Sequence, residues 1–271
     1  MSHPSAISPI RWENNKLVLL DQRYLPSKHD DYVCSTLEQA AQGIADLVVR
    51  GAPAIGITAA YAVYLGFQQL QQDTDYDLTA ALDELTNARP TAVNLAWAVE
   101  QQKQILNGNS SDISGKLLEN AKHIHQQDLD DNIKMGDFGA GLIEPGSRVV
   151  THCNAGALAT AGYGTALGVI RSAWSENKLE KVFASETRPW LQGLRLTAWE
   201  LAEDQIPVTL IVEGAASSLL GRKKIDWVIV GSDRICANGD VVNKVGTCNL
   251  AIMAKHYGVK VMVAAPTSTI D

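Results

Sequence analysis

Arg148-Val149-Val150-Thr151-His152, Lys181-Val182-Phe183-Ala184-Ser185 and Val208-Thr209-Leu210-Ile211-Val212 are short apolar runs separated by helical patterns, and this alternation decides the fold. Trp227-Val228-Ile229-Val230 and Lys260-Val261-Met262-Val263-Ala264 continue it. A strand covered on both faces reads as a continuous apolar run. Strands joined through helices are parallel, because each crossover returns the chain to the same end of the sheet. The spacing predicts strands at 148–152, 181–185, 208–212, 227–230 and 260–264, with helices between most of them, including 189–204 and 247–257. The result is an α/β, Rossmann-like domain with a mainly parallel sheet, whose chemistry belongs at the carboxyl ends of the strands.

Upstream the period changes. Segments 10–12 and 17–20 flank the turn-forming Glu13-Asn14-Asn15-Lys16 and predict a short β-hairpin. Thr36 stands as an N-cap before Ala40, Ala41, Ile44, Leu47 and Val48 at helical spacing, and further helices are expected near 53–72, 77–88, 92–106 and 112–138. Helical periodicity stops between Gly139-Ala140-Gly141 and Pro145-Gly146, which divides the chain into an α-rich domain at 1–144 and the Rossmann-like catalytic domain at 145–271.

Composition narrows the function. With 46% hydrophobic and 20% charged residues the 271-residue chain is a compact globular protein rather than a disordered one. A net charge of -7 provides no basic field for nucleic acid or an anionic membrane. The charge-free stretch 51–72 has too short an apolar heart to span a bilayer and reads as a buried helix. Cys34, Cys153, Cys236 and Cys248 are scattered without a CxxC pair, and the polar start carries no export signal, which points to free thiols in a reducing cytoplasm.

Three strand ends converge on one edge: Thr151-His152-Cys153-Asn154-Ala155-Gly156, Ser185-Glu186-Thr187-Arg188-Pro189 and Gly231-Ser232-Asp233-Arg234. Cys153 reads either as a small buried hydrophobe or as a thiolate favoured by an adjacent helix N-terminus. Asp233 reads either as an N-cap or partner of Arg234, or as a carboxyl whose pKa is raised so that it donates a proton near neutrality. Arg50-Gly51-Ala52-Pro53, Arg89-Pro90 and Arg188-Pro189 each place arginine at a proline-marked helix start, where a phosphate meets free amides, a helix dipole and a guanidinium fork. Gly162, Gly164 and Gly168 sit too far beyond the first strand for a dinucleotide fingerprint and suit close helix–sheet packing. His152 and Cys153 are neighbours on opposite strand faces, and His123 and His125 do not share a helix face, so neither pair makes a nucleophilic dyad or a metal site.

Together Arg50-Gly51-Ala52-Pro53-Ala54-Ile55-Gly56, Thr151-His152-Cys153-Asn154-Ala155-Gly156, Glu186-Thr187-Arg188-Pro189 with Leu191-Gln192-Gly193, and Gly231-Ser232-Asp233-Arg234-Ile235 with Asn238-Gly239-Asp240 and Asn243-Lys244 resemble the methylthioribose-1-phosphate isomerase family. The likeness runs from Asp21-Gln22-Arg23 to Ser268-Thr269-Ile270-Asp271. It implies a cytoplasmic homodimer acting without cofactor or metal on a small sugar phosphate in methionine salvage. Carried over by motif, Cys153 and Asp233 are the catalytic pair, with Asp233 the proton donor; Arg50, Gly51, Ala52, Arg89, Gln192, Asn243 and Lys244 contact substrate. Glu213-Gly214-Ala215-Ala216 departs from the family's Asp-Asn/Ser-Met-Ala, and family members continue beyond Asp271, so the Rossmann-like domain is expected to be incomplete at its C-terminus. Related folds include ribose-1,5-bisphosphate isomerases and regulatory subunits of the translation-initiation guanine-exchange factor; the latter lack the Cys/Asp pair.

Overall fold

The computed structural model describes residues 5–89 and 93–270 and falls into two compact units. One comprises Ser8–Leu129 with Ala159–Ala161, the other Met1–Ile7, Asp130–Leu158 and Gly162–Asp271. Pro90, which marks the second arginine–proline pair, and Asp271 lie outside the described residues.

In the unit built on Ser8–Leu129, β1 (Ile10–Glu13) and β2 (Lys16–Leu20) pair antiparallel across Asn14 and Asn15, both at positive φ as a tight two-residue hairpin turn requires. A third strand not expected from sequence, β3 (Asp31–Cys34), pairs with β2. Ile10, Leu17, Leu19 and Cys34 are fully buried against the helices. The Thr36 hydroxyl accepts the Gln39 amide and starts α1 (Leu37–Ala45). The helix ends before the expected Val48, because Leu47 turns left-handed and the Val48 amide closes back on the Gly43 carbonyl.

Helices α2 (Ala52–Gln72), α3 (Leu78–Asn87), α4 (Val93–Leu106) and α5 (Ile113–Gly141) follow. Residues 54–63 of α2 are buried on every side, which explains the unbroken apolar run. Gln102 of α4 ties the bundle together: its Nε2 donates to the Ala60 and Leu117 carbonyls at 2.9 and 3.0 Å, and its Oε1 accepts from Asn120. Among the described residues no helix is long and apolar enough to cross a membrane.

In the other unit β4 (Ser147–Thr151), β5 (Leu179–Ser185), β6 (Val208–Ile211), β7 (Trp227–Val230) and β10 (Lys260–Val263) form one parallel sheet in the order β10-β7-β4-β5-β6. Alternate residues enter opposite cores. Val149, Val182 and Ile229 pack with α6 (Ala166–Ser175) and α7 (Ala198–Glu203), whereas Val150, Phe183, Val228 and Val230 pack with α8 (Ala215–Gly221) and α9 (Thr247–Tyr257). Burial on both faces is the physical origin of the continuous apolar runs.

Two details differ from expectation. The helix anticipated at 189–204 begins later, with a π turn at Gly193–Thr197 leading into α7. Arg188-Pro189 is a cis peptide in the preceding turn and marks no helix start. A small ribbon, β8 (Arg234–Ile235) against β9 (Val241–Val242), follows β7.

Candidate active site

The order β10-β7-β4-β5-β6 reverses its direction of growth at β4. Successive strands run outward from β4 through β5 to β6, and then from β7 on the other side of β4 to β10. Such a switch point leaves a crevice between adjacent strand ends, where ligands of open α/β sheets bind. Cys153 follows β4 and Asp233 follows β7, so the two residues of the suspected pair flank this point.

Cys153 has φ 65°, a left-handed conformation that costs an L-residue energy and persists only where its surroundings impose it. Those surroundings are threonines. The Cys153 amide donates to Thr187 Oγ1 at 2.8 Å, and the Cys153 carbonyl accepts from Thr197 Oγ1 at 2.6 Å. Thr187 is itself left-handed and anchors its hydroxyl to the Ser185 carbonyl. Both lie in the segment after the neighbouring strand β5. The helix start beside Cys153 is only the three-residue turn Ala157–Ala159, and the amides of Ala157 and Leu158 are taken by Glu200. The adjacent helix N-terminus expected to favour a thiolate is therefore occupied by a carboxylate.

Asp233 leads into the β8–β9 ribbon, so it caps no helix; its amide donates to the Val242 carbonyl at 2.9 Å. The residue is exposed on one side, yet desolvation by the surrounding protein raises its carboxyl above the ordinary Asp value, and Lys244 pulls the other way. Asp233 and Lys244 are thus brought into electrostatic contact. Beside Lys244, Asn243 Nδ2 donates to Thr247 Oγ1 at 3.1 Å near the start of α9. Gln192 is buried at 3% exposure in the turn after β5, with Leu191 before it at φ 66°. All five residues belong to the connections that leave β4, β5 and β7 of the same sheet, Asn243 and Lys244 just after the ribbon within the last of these.

Arg50, Gly51, Ala52 and Arg89 belong to the other unit. Gly51 has φ 90° and caps α2, with Pro53 in its first turn, as the arginine–proline reading requires. A Cβ at Gly51 would stand 2.5 Å from Ala159 Cα, so the close approach as well as the backbone angle demands glycine there. Arg50 and Arg89 are half-buried, Arg89 just after α3.

The remaining motifs take structural places. His152 is buried and its Nε2 donates to the Val245 carbonyl at 2.8 Å. Glu213, where the sequence departs from the family pattern, accepts the Arg188 amide and lines a cavity of about 610 Å3 with His152, Ser185 and Leu250. Gly164 bridges Gly156 and closes the chain on itself, a structural place rather than a phosphate loop. Among the described residues no group of three His, Cys, Asp or Glu is arranged to hold a metal. Thr187, Thr197, Glu200 and Arg171 were not singled out from sequence. A signal existed for Arg171, the one charge in the run 155–175, whereas Glu200 shares its helical face with Thr197, Glu203 and Asp204 and does not stand out.

Residues 48–271 match the Initiation factor 2 subunit family. The methylthioribose-1-phosphate isomerase of Thioalkalivibrio sulfidiphilus (strain HL-EbGR7) is 53% identical over 268 residues, covering 98% of this chain and 77% of that protein. The enzyme of the same name from Alkalilimnicola ehrlichii is 52% identical, with 100% of this chain and 80% of that protein covered. The crystal structure of 5-methylthioribose 1-phosphate isomerase from Pyrococcus horikoshii OT3 matches with a TM-score of 0.92 at 36% identity, over 100% of this chain and 77% of that one. A structure from A. fulgidus described as translation initiation factor eIF-2B, subunit delta, matches with a TM-score of 0.86 at 40% identity, over 98% of this chain and 79% of that one. This chain belongs to the Initiation factor 2 subunit family, and within it resembles the methylthioribose-1-phosphate isomerases.

Proposed function

We propose that this protein is an aldose–ketose isomerase that converts 5-methylthioribose 1-phosphate to 5-methylthioribulose 1-phosphate, a step of methionine salvage. The observation that carries the reading is that Cys153 and Asp233 follow adjacent strands at the switch point, with the Asp233 carboxyl raised. The relatives bearing that enzyme name support it.

A phosphate on the anomeric carbon locks the sugar ring, so ring opening needs catalysis. Neutral Asp233 gives its proton to the ring oxygen as the C1–O bond breaks, and a raised pKa preserves the neutral form toward neutral pH. The hydrogen on C2 then moves to C1. In an enediol route Cys153 takes the C2 proton, the electron pair forms the C1=C2 bond, and the ketose results when Cys153 returns the proton to C1 while the C2 hydroxyl proton passes to the Asp233 carboxylate. In a hydride route the C2 hydrogen passes to C1 with its electron pair, and the C2 hydroxyl proton returns to the Asp233 carboxylate. In this reading Arg50, Arg89 and the amides of Gly51 and Ala52 hold the phosphate, while Gln192, Asn243 and Lys244 hold the sugar. Such alignment contributes several kcal/mol to catalysis, on the order of 7–11 in favourable cases. The enzyme works in the cytoplasm as a homodimer without a cofactor.

Incubating the purified protein with 5-methylthioribose 1-phosphate and, separately, with ribose 1,5-bisphosphate tests the proposal. Ketose formation from the first ester is expected. Turnover of the bisphosphate alone, or of neither ester, overturns the assignment, the second result pointing to a binding subunit of the same family.

A further inference from the structure

We propose that Glu200 is a positioning residue for the isomerisation: its buried carboxylate, held by Arg171, gathers the loop that carries Cys153 and fixes where the sulfur points. This rests on the reading of Cys153 as a reacting group.

Glu200 is 0% exposed and Arg171 5%. Glu200 Oε1 accepts from Asn154 Nδ2 at 2.8 Å and from the Leu158 amide at 3.2 Å, while Oε2 accepts from the Ala157 amide at 2.7 Å and from Arg171 Nη2 at 2.9 Å. One carboxylate thus collects three groups from the five residues that follow Cys153, and the guanidinium stands behind it. Gly156 sits in the same embrace, since a Cβ there would fall 2.6 Å from Glu200 Cδ. Arg171 also pairs with Asp204 and donates to the Tyr163 carbonyl. The hub is joined to the strained residue itself through Thr197, which donates to the Cys153 carbonyl and accepts from Asn154.

A buried carboxylate is expensive to desolvate, and a fold needing only stability fills such a space more cheaply with apolar side chains. Here the charge is aimed at backbone amides of a loop whose first residue is held at positive φ. Its effect is geometric: it fixes Cys153 and neighbouring atoms to the tolerance that proton transfer requires, and a displacement of about 1 Å costs on the order of a hundredfold in rate.

The test uses Glu200→Gln and Thr197→Val in the whole protein, with folding checked by near-ultraviolet circular dichroism. Thr197→Val preserves shape, so it keeps the question open to experiment if Glu200→Gln fails to fold. Each folded variant is assayed for kcat and KM, and the alkylation rate of Cys153 by iodoacetamide is followed by peptide mass spectrometry. The expected result is a kcat lowered about 10–100-fold with KM changed less than about threefold, together with an altered alkylation rate at Cys153 and an unchanged rate at exposed Cys248. Folded variants with kcat within twofold of the parent and an unchanged Cys153 alkylation rate overturn the proposal. Because alkylation needs no substrate, a parent protein that turns over neither sugar ester refutes the isomerase reading while the alkylation result still decides the positioning role.

Discussion

Replacing Gly51 with alanine puts the helix start assigned to phosphate under two separate strains. At φ 90° and ψ 132° the backbone occupies a region that L-residues avoid, and enforcing it costs about 1–3 kcal/mol. The added methyl would also stand 2.5 Å from Ala159 Cα and 2.6 Å from Ala159 Cβ, against backbone that cannot rotate away. Overpacking of this kind costs a further 1–3 kcal/mol or so. The sum, about 2–6 kcal/mol, is a large part of the roughly 5–15 kcal/mol that stabilises a typical domain. Urea unfolding followed by tryptophan fluorescence, in a variant that keeps Trp12 and replaces the other five tryptophans with phenylalanine, reports on the same unit, because Trp12 stacks on Tyr61 at 5.2 Å. Ala159→Gly in the Gly51→Ala background removes only the contact with Ala159 Cβ. The double variant is therefore expected to recover less than half of the loss. A loss below about 0.5 kcal/mol, the scale of a neutral surface substitution, refutes the reasoning, and so does full recovery in the double variant.

Asp233→Asn retains shape but no transferable proton, and kcat is expected to fall by at least about a hundredfold; near-parental turnover removes Asp233 from the acid role. The pH dependence has a definite sign: the donor is the neutral form, so kcat declines as pH rises through the raised Asp233 pKa, and a kcat–pH profile lacking this alkaline limb contradicts the assignment. A raised carboxyl pKa means that the folded state holds the proton more tightly than the unfolded state. Asp233 therefore opposes folding above that pKa, and Asp233→Asn should melt above the parent at neutral pH, with the gap narrowing in acid. Burial pushes the Cys34 thiol up to about 12, so Ellman's reagent at pH 8 should label exposed Cys248 quickly and Cys34 only on denaturation; rapid native labelling of Cys34 contradicts its burial.

The parallel sheet was legible because its strands are buried on both faces, so Val149, Val150, Val182 and Phe183 announce themselves by composition alone. Strand β3 was not: Tyr32 and Cys34 turn to the core while Asp31 and Val33 are exposed, but four residues with a valine on the exposed side carry no polar–apolar alternation in the sequence. The positions of Cys153 and Asp233 followed from strand ends, a property of topology that local sequence reports well. What holds Cys153 did not follow. Thr187 and Thr197 are 34 and 44 residues away along the chain, and their hydroxyls reach it only because β5 pairs with β4 and the chain turns back through a π segment. The Arg188-Pro189 reading failed for a related reason: proline at a helix start and proline in a turn look alike in sequence, and only the path of the chain after β5 separates them.

The two catalytic candidates are supported by opposite means, and the difference bears on how the site works. Asp233 stands at the entry to a short ribbon with one side exposed, where the protein changes its proton affinity through desolvation against the pull of Lys244. Cys153 is gripped through both its amide and its carbonyl, with a carboxylate–guanidinium cluster behind the following loop. In the proposed reaction the acid must deliver a proton to the ring oxygen early and then accommodate a sugar that has opened, so latitude at Asp233 is an advantage. The second step moves hydrogen between two adjacent carbons, and its barrier depends on alignment within a fraction of an ångström. Rigidity belongs at Cys153. Arg171, Glu200 and Asp204 lie behind the loop that follows Cys153, where their ion pairs and the hydrogen bonds Glu200 accepts from that loop offset the cost of desolvating them, and the same bonds hold the loop in place.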